Sequence, residues 1–139
     1  MALPTHLTLE IVTPERPLVK ETVDEVTLPG VLGELGILPG HTPLLTLLKV
    51  GVLSYRKGDE RSYVAVAHGF AEALADRVTV LAQMAERAEE IDVVKAKAAQ
   101  ERAEQRLAAG GPQTDAEIAR DSLAKASTRL LVASKARTR

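Results

Sequence analysis

Three observations predict a β + α chain. Apolar residues alternate at period two through about the first 85 positions, turn residues interrupt them about every ten, and glycine and proline then vanish from Glu86 to Ala109. The first part reads as a small antiparallel sandwich or flattened barrel, the second as an antiparallel two-helix hairpin. The division falls between a β domain over 1–86 and a helical domain over 87–139.

The strands follow in order. Leu7, Leu9 and Ile11 alternate with Thr8 and Glu10, so one face turns to a core. Val26 and Leu28 precede Pro29-Gly30. Val52–Tyr55 and Tyr63–Val66 flank Lys57-Gly58-Asp59-Glu60, a polar, glycine-containing connection of hairpin type. Gly69–Leu74 meets Val78–Ala82 across Ala75-Asp76-Arg77. No strand–helix–strand alternation appears.

From Glu86 to Ala109 the chain is dominated by Ala, Glu, Lys, Arg and Gln, strong helix formers that predict a helix from residue 86 onward. The acids of Glu89-Glu90-Ile91-Asp92 favour the positive end of its dipole. Gly110-Gly111-Pro112 ends it, because glycine accepts the left-handed conformation and proline cannot continue the ladder. Thr114 with Glu117 reads as a capping box opening a second helix. Ala116, Ala119, Leu123, Ala126, Leu130 and Ala133 form one narrow stripe, answered by Ala96, Ala99, Ala103 and Leu107. A seam of methyl groups buries little area at about 25 cal/mol per Å², so the hairpin is either a movable arm or a static one held on the sandwich.

Composition excludes several chemistries. The chain has 139 residues, no cysteine, and three histidines at positions 6, 41 and 68, which argues against disulfides, thiolate zinc sites and a cysteine nucleophile. Aromatics are 2% of it, too few for the stacking platforms of single-stranded nucleic-acid readers. No stretch has the roughly 20 uninterrupted apolar residues of a membrane span, and Met1–Thr8 lacks an export signal, so cytoplasmic residence is expected. Residues 1–86 carry 7 basic and 11 acidic side chains, net −4; residues 87–139 carry 11 and 8, net +3. No nucleophile elbow, phosphate-cradling loop or paired-carboxylate cleft appears, and Glu34 with His41 lacks a nucleophile or oxyanion donors nearby. An acid/base enzyme built on that pair predicts a concave pocket around it.

Gly33–Leu45, GELGILPGHTPLL, threads three glycines, two prolines, Glu34 and His41 through large aliphatics, reading as either a binding edge or a buried hairpin corner. No acid follows Asp121, while Lys125, Arg129, Lys135, Arg137 and Arg139 do. That cationic end suits an acidic protein surface or serves as a solubilising terminus.

Gly33–Leu45, the Gly69-Phe70 pair, Val78–Ala82 and Ala85–Asp92, in this order and spacing and preceded by Leu9–Pro14, resemble the epsilon subunit of bacterial rotary F-type ATP synthases over nearly the whole chain. The resemblance implies a ten-stranded antiparallel β-sandwich followed by the two-helix domain. It also implies a non-catalytic central-stalk subunit bound to gamma and to the c-ring at the cytoplasmic face of the bacterial inner membrane. Such a subunit is membrane-associated only through the complex and couples rotor rotation to the catalytic alpha/beta hexamer. By position, Leu32, Glu34 and Leu35 are similar to the family's ring contact and His41 to the residue facing gamma.

The same resemblance implies that the helices, extended, brake ATP hydrolysis, and that some members bind regulatory ATP on the folded hairpin. Ile91-Asp92-Val93-Val94-Lys95-Ala96 resembles that ATP motif; Glu86, Ile91, Asp92, Lys95, Ala96 and Arg102, with Lys125 and Arg129, would surround the nucleotide. Lys95 and Lys125 depart from the usual arginines, and lysine lacks the planar two-pronged contact of a guanidinium. The rival reading is a free-standing ATP-sensing domain, monomeric and without affinity for gamma. No metal and no required cofactor is expected.

Overall fold

The computed structural model describes residues 3–136. Eight strands form one sheet that folds over itself: β1 (Leu7–Val12), β2 (Pro17–Val23), β3 (Glu25–Gly30), β4 (Gly33–Ile37), β5 (Leu44–Leu48), β6 (Gly51–Lys57), β7 (Glu60–Ala73) and β8 (Arg77–Arg87). A 3-10 turn over Ala88–Glu90 leads to α1 (Val93–Ala109) and α2 (Gln113–Ala133).

The alternation of Leu7, Leu9 and Ile11 places all three fully inside, against Val26, Leu28, Leu53, Val64, Val78 and Val80 in one aliphatic core. The polar connection at Gly58 and Asp59 closes β6 onto β7 with Lys57 opposite Glu60, and Gly58 takes φ 62°. β7 and β8 pair from Val64↔Arg87 to Ala73↔Val78 across the turn at Asp76.

Two expectations about the sheet are corrected. Eight strands are present among the described residues where ten were expected, and β7 and β8 are long, at 14 and 11 residues. β7 pairs with β6 as far as Val66 and with β5 from Gly69, so one strand serves two ladders. His68 and Gly69 mark the changeover, at φ 54° and 159°. A Cβ on Gly69 would stand 2.0 Å from the Leu81 carbonyl oxygen, which fixes glycine there. The sheet is also not wholly antiparallel, because β1 pairs antiparallel with β2 but parallel with β8. Alternation reports which face is buried and carries nothing about the direction of a partner seventy residues away.

The helices correct two more. The first helix begins at Val93, because β8 continues through Ala85-Glu86-Arg87 and a 3-10 turn follows. Ladder pairing overrides the helix propensity of those residues, with Ala65 opposite Glu86 and Val64 opposite Arg87. Asp92 caps α1, its carboxylate accepting the Lys95 amide at 3.1 Å. Gly110 ends α1 at φ 74°. The capping box at Thr114 is absent: Pro112, two residues earlier, is the cap, and α2 starts at Gln113. The Pro112 carbonyl accepts the amides of Asp115 and Ala116 at 3.0 and 3.2 Å, which puts Thr114 inside the first turn.

The small-residue seam forms as the spacing predicts, with Ala96, Ala103, Ala119 and Ala126 buried. Gln100 donates to the Ser127 hydroxyl across it at 3.3 Å. The hairpin meets the sandwich chiefly through α2, where Val132 joins Ala65, Ala88 and Ile91 in a small second core bordered by Val52, Tyr63 and Met84. The Lys135 ammonium lies 5.9 Å from the Tyr63 ring centre.

Candidate functional site: a cationic cleft, an exposed hairpin tip and an apolar row

Asp121, Lys125, Arg129 and Val132 recur every three or four residues and share the face of α2 that meets the sandwich. That face is charged along most of its length and apolar only at its end. Arg129 reaches β8, its Nε 2.5 Å from Glu86 Oε1, and a second guanidinium nitrogen donates to the Met84 sulfur.

Beside this pair opens a cleft of about 440 Å³ lined by Glu86, Asp92, Lys95, Ala96, Arg102 and Arg129, with Ala98 and Ala99. Six of the eight residues expected around a nucleotide therefore meet in one cavity. Ile91 and Lys125 do not line it: Ile91 is buried beneath Val132, and the Lys125 ammonium sits 2.8 Å from Asp121. Three cations face two carboxylates, a balance that suits a polyanion. Asp92 is already occupied as a helix cap, so it shapes the rim rather than offering a free charge.

The connection from β8 to α1 is clamped. Arg16, in the β1–β2 turn, donates to Glu90 at 2.6 Å, and the same carboxylate oxygen accepts the Arg87 amide at 2.8 Å. Burial acts to raise the Glu90 pKa, but the bond from Arg16 and that from the Arg87 amide hold it below the usual carboxylate range. The Arg87 guanidinium donates to the Leu18 carbonyl at 2.7 Å.

At the far end of the sandwich, Gly33–Leu45 forms edge strand β4, a turn, and the start of β5. Val31 and Leu32 make the hairpin tip before β4, and Leu32 is fully exposed. Glu34 is exposed on the edge strand, whereas Leu35 turns inward against the core. His41 is half-buried in the next turn, its Nδ1 2.6 Å from the Thr42 carbonyl oxygen. An exposed edge carboxylate and a histidine bonded to its own turn do not make an acid/base pocket.

One feature lay outside the sequence reading. Val12, Leu81, Phe70 and Leu47 are successive cross-strand partners on β1, β8, β7 and β5, so they share one face. Leu47, Phe70 and Leu81 are 65%, 43% and 40% exposed, enough for an aligned apolar row on the outside. A groove of about 420 Å³ runs along it, lined by Val12, Pro14, Phe70 and Leu81. The sequence held one signal for it, the lone Phe70 at an outward position of a strand. The tail residues Arg137 and Arg139 lie outside the described residues, among which no helix is long and apolar enough to cross a membrane.

Residues 6–88 match the family described as "ATP synthase, Delta/Epsilon chain, beta-sandwich domain" and residues 89–134 the "ATP synthase, Delta/Epsilon chain, long alpha-helix domain". An ATP synthase epsilon chain of Syntrophobacter fumaroxidans is 52% identical over 127 residues, 91% of this chain and 95% of that one. An ATP synthase epsilon chain of Koribacter versatilis is 54% identical over 104 residues, 75% of this chain and 73% of that one. The cryo-electron microscopy structure of the Euglena gracilis mitochondrial ATP synthase (OSCP, F1 and c-ring) contains a chain of like fold. Its TM-score is 0.82 at 23% identity, covering 98% of this chain and 85% of that one. With both of its parts matched and a relative 52% identical over 91% of its length, the chain belongs to the ATP synthase delta/epsilon-chain family.

Proposed function

We propose that the chain is a non-catalytic central-stalk subunit of a proton-translocating F-type ATP synthase, held at the cytoplasmic face of a bacterial membrane through its complex. The sandwich binds gamma and the c-ring, and the helical hairpin regulates hydrolysis by the alpha/beta hexamer. The observation that carries this reading is the aligned row of Leu47, Phe70 and Leu81, large side chains left outside a sandwich whose own core is complete. Such a row gains stability only by being covered. Gamma is its proposed occupant, with His41 nearby in chain order on the turn before β5. The exposed tip at Leu32 and Glu34, with Leu35 bracing it from within, is the proposed contact with the c-ring.

Two features support a mobile hairpin. Its apolar attachment is small, centred on Val132, and its length is adequate for a brake: α1 and α2 have 17 and 21 residues. At 1.5 Å per residue, opened end to end, they reach on the order of 57 Å. Regulatory ATP is assigned to the cleft between Glu86, Asp92, Lys95, Arg102 and Arg129, with Lys125 available only after leaving Asp121. Its cations would hold the phosphates and its alanines, Ala96 among them, leave room for a flat base.

Co-purification with gamma tests the stalk assignment. The unsubstituted chain retains gamma, and Phe70→Glu, which places a charge in the exposed row without entering the core, releases it. Equal retention by both proteins contradicts the assignment of the row. Titration calorimetry of the chain with ATP tests the cleft, where no heat at millimolar ATP removes it.

A further inference from the structure

We propose that Arg106 reads the end of the phosphate chain in the nucleotide cleft, so that a nucleoside triphosphate is held in preference to a diphosphate. This role rests on the assignment of ATP to that cleft, whose own lining stops at Arg102. The open space does not stop there. A second cavity of about 410 Å³, lined by Ala99, Arg102, Ala103, Arg106 and Ser122, shares Ala99 and Arg102 with the first, so the two make one trough along the groove between α1 and α2. The helical repeat accounts for it. Lys95, Ala99, Arg102 and Arg106 follow one another at intervals of 4, 3 and 4 residues, which keeps them in one stripe on α1. The acids of that stretch, Glu101 and Glu104, project more than about 100° away from the stripe, and neither lines the trough.

Charge fixes the direction in which a nucleotide lies. Asp92 caps the start of α1, and Glu86 meets Arg129 near the end of α2, which the antiparallel hairpin lays beside that start, so both carboxylates stand at one end of the trough. Phosphates are repelled from that end and drawn along Lys95, Arg102 and Arg106, which extend about 16 Å away from it. The cations also differ in availability. Arg129 is bonded to Glu86 and Lys125 to Asp121, whereas the side chains of Lys95, Arg102 and Arg106 make no ion pair or hydrogen bond with a described residue. Lys95 and Arg102 serve the phosphates nearer the sugar, and Arg106, with the Ser122 hydroxyl beside it, stands where the next one falls. Its guanidinium offers two parallel N–H donors, a fork that matches the oxygens of a terminal phosphate and that a lysine ammonium does not provide. A diphosphate ends one group short and leaves that fork empty.

Calorimetric titration of the full chain with ATP, and with ADP in competition against ATP, tests the assignment. Arg106 is exposed and glutamine is a good helix former, so Arg106→Gln removes the charge without disturbing the seam between the helices. The unsubstituted chain is expected to bind ATP more tightly than ADP. Arg106→Gln should weaken ATP by about tenfold, the scale of one lost charge-assisted hydrogen bond, and change ADP less than about twofold. Lys97→Gln removes the same charge from a residue of α1 that lines neither cavity, and should leave both affinities as they were. ATP affinity unchanged by Arg106→Gln, or ATP and ADP weakened alike, overturns the role of Arg106 while leaving the cleft as a nucleotide site. No heat from ATP in the unsubstituted chain removes the cleft and this role together.

Discussion

Arg129 on α2 and Glu86 on β8 are joined at 2.5 Å across the line where the hairpin meets the sandwich, and both side chains line the cationic cleft. One guanidinium thus serves two purposes, closing the hairpin and facing whatever anion enters. Arg129→Ala is therefore predicted to weaken ATP binding by about tenfold or more, since charge-assisted hydrogen bonds contribute about 1.5–3 kcal/mol. Parallel calorimetric titrations of the two proteins check it, and equal affinities would mean that the nucleotide does not touch Arg129.

Val132 supplies the apolar part of the hairpin's attachment. Val132→Ala should weaken docking by about 2 kcal/mol and leave the unfolding of the sandwich unchanged. In the assembled synthase this variant should slow ATP hydrolysis, because a loosened hairpin extends more often into the braking position. Hydrolysis at the unsubstituted rate, with docking shown to be weakened, would separate hairpin position from regulation.

Acid sensitivity of the 3-10 turn between β8 and α1 follows from Glu90. Its folded-state pKa is depressed below the ordinary 4.5, although burial opposes this, through the bonds from Arg16 and the Arg87 amide. A depressed carboxylate contributes stability that is present above its ordinary value and lost as pH falls through the folded one. Glu90→Gln should therefore reduce stability near neutral pH and flatten its decline below about pH 4.5, as urea midpoints across that range would reveal. A decline as steep as in the unsubstituted chain would move the acid-sensitive contact elsewhere.

Much of the architecture was legible because it depends on local pattern. The buried set Leu7, Leu9 and Ile11 follows from period two, the β6–β7 turn from Gly58-Asp59, the end of α1 from Gly110, and the interhelical seam from alanines three or four apart. What escaped depends on partners distant in the chain. The parallel pairing of β1 with β8 has no local signature, and Ala85-Glu86-Arg87 favours helix until a ladder claims it. The first turn of α2 follows Pro112 rather than Thr114, because proline's fixed φ, here −57°, already suits a helix start. Of the residues expected around a nucleotide, Glu86, Asp92, Lys95, Ala96, Arg102 and Arg129 line one cleft. Lys125 went instead to Asp121, a partner one turn away on its own helix. The outward row of Val12, Leu81, Phe70 and Leu47 needed the register of four strands, which no single segment encodes.

The most direct test of a stalk subunit with a movable brake is ATP hydrolysis by the whole synthase carrying a chain that ends at residue 112. Loss of α2 should raise hydrolysis while ATP-driven proton pumping persists, since the sandwich and its rotor contacts remain. Hydrolysis no faster than with the full chain, in a complex shown to retain the shortened subunit, would contradict the account.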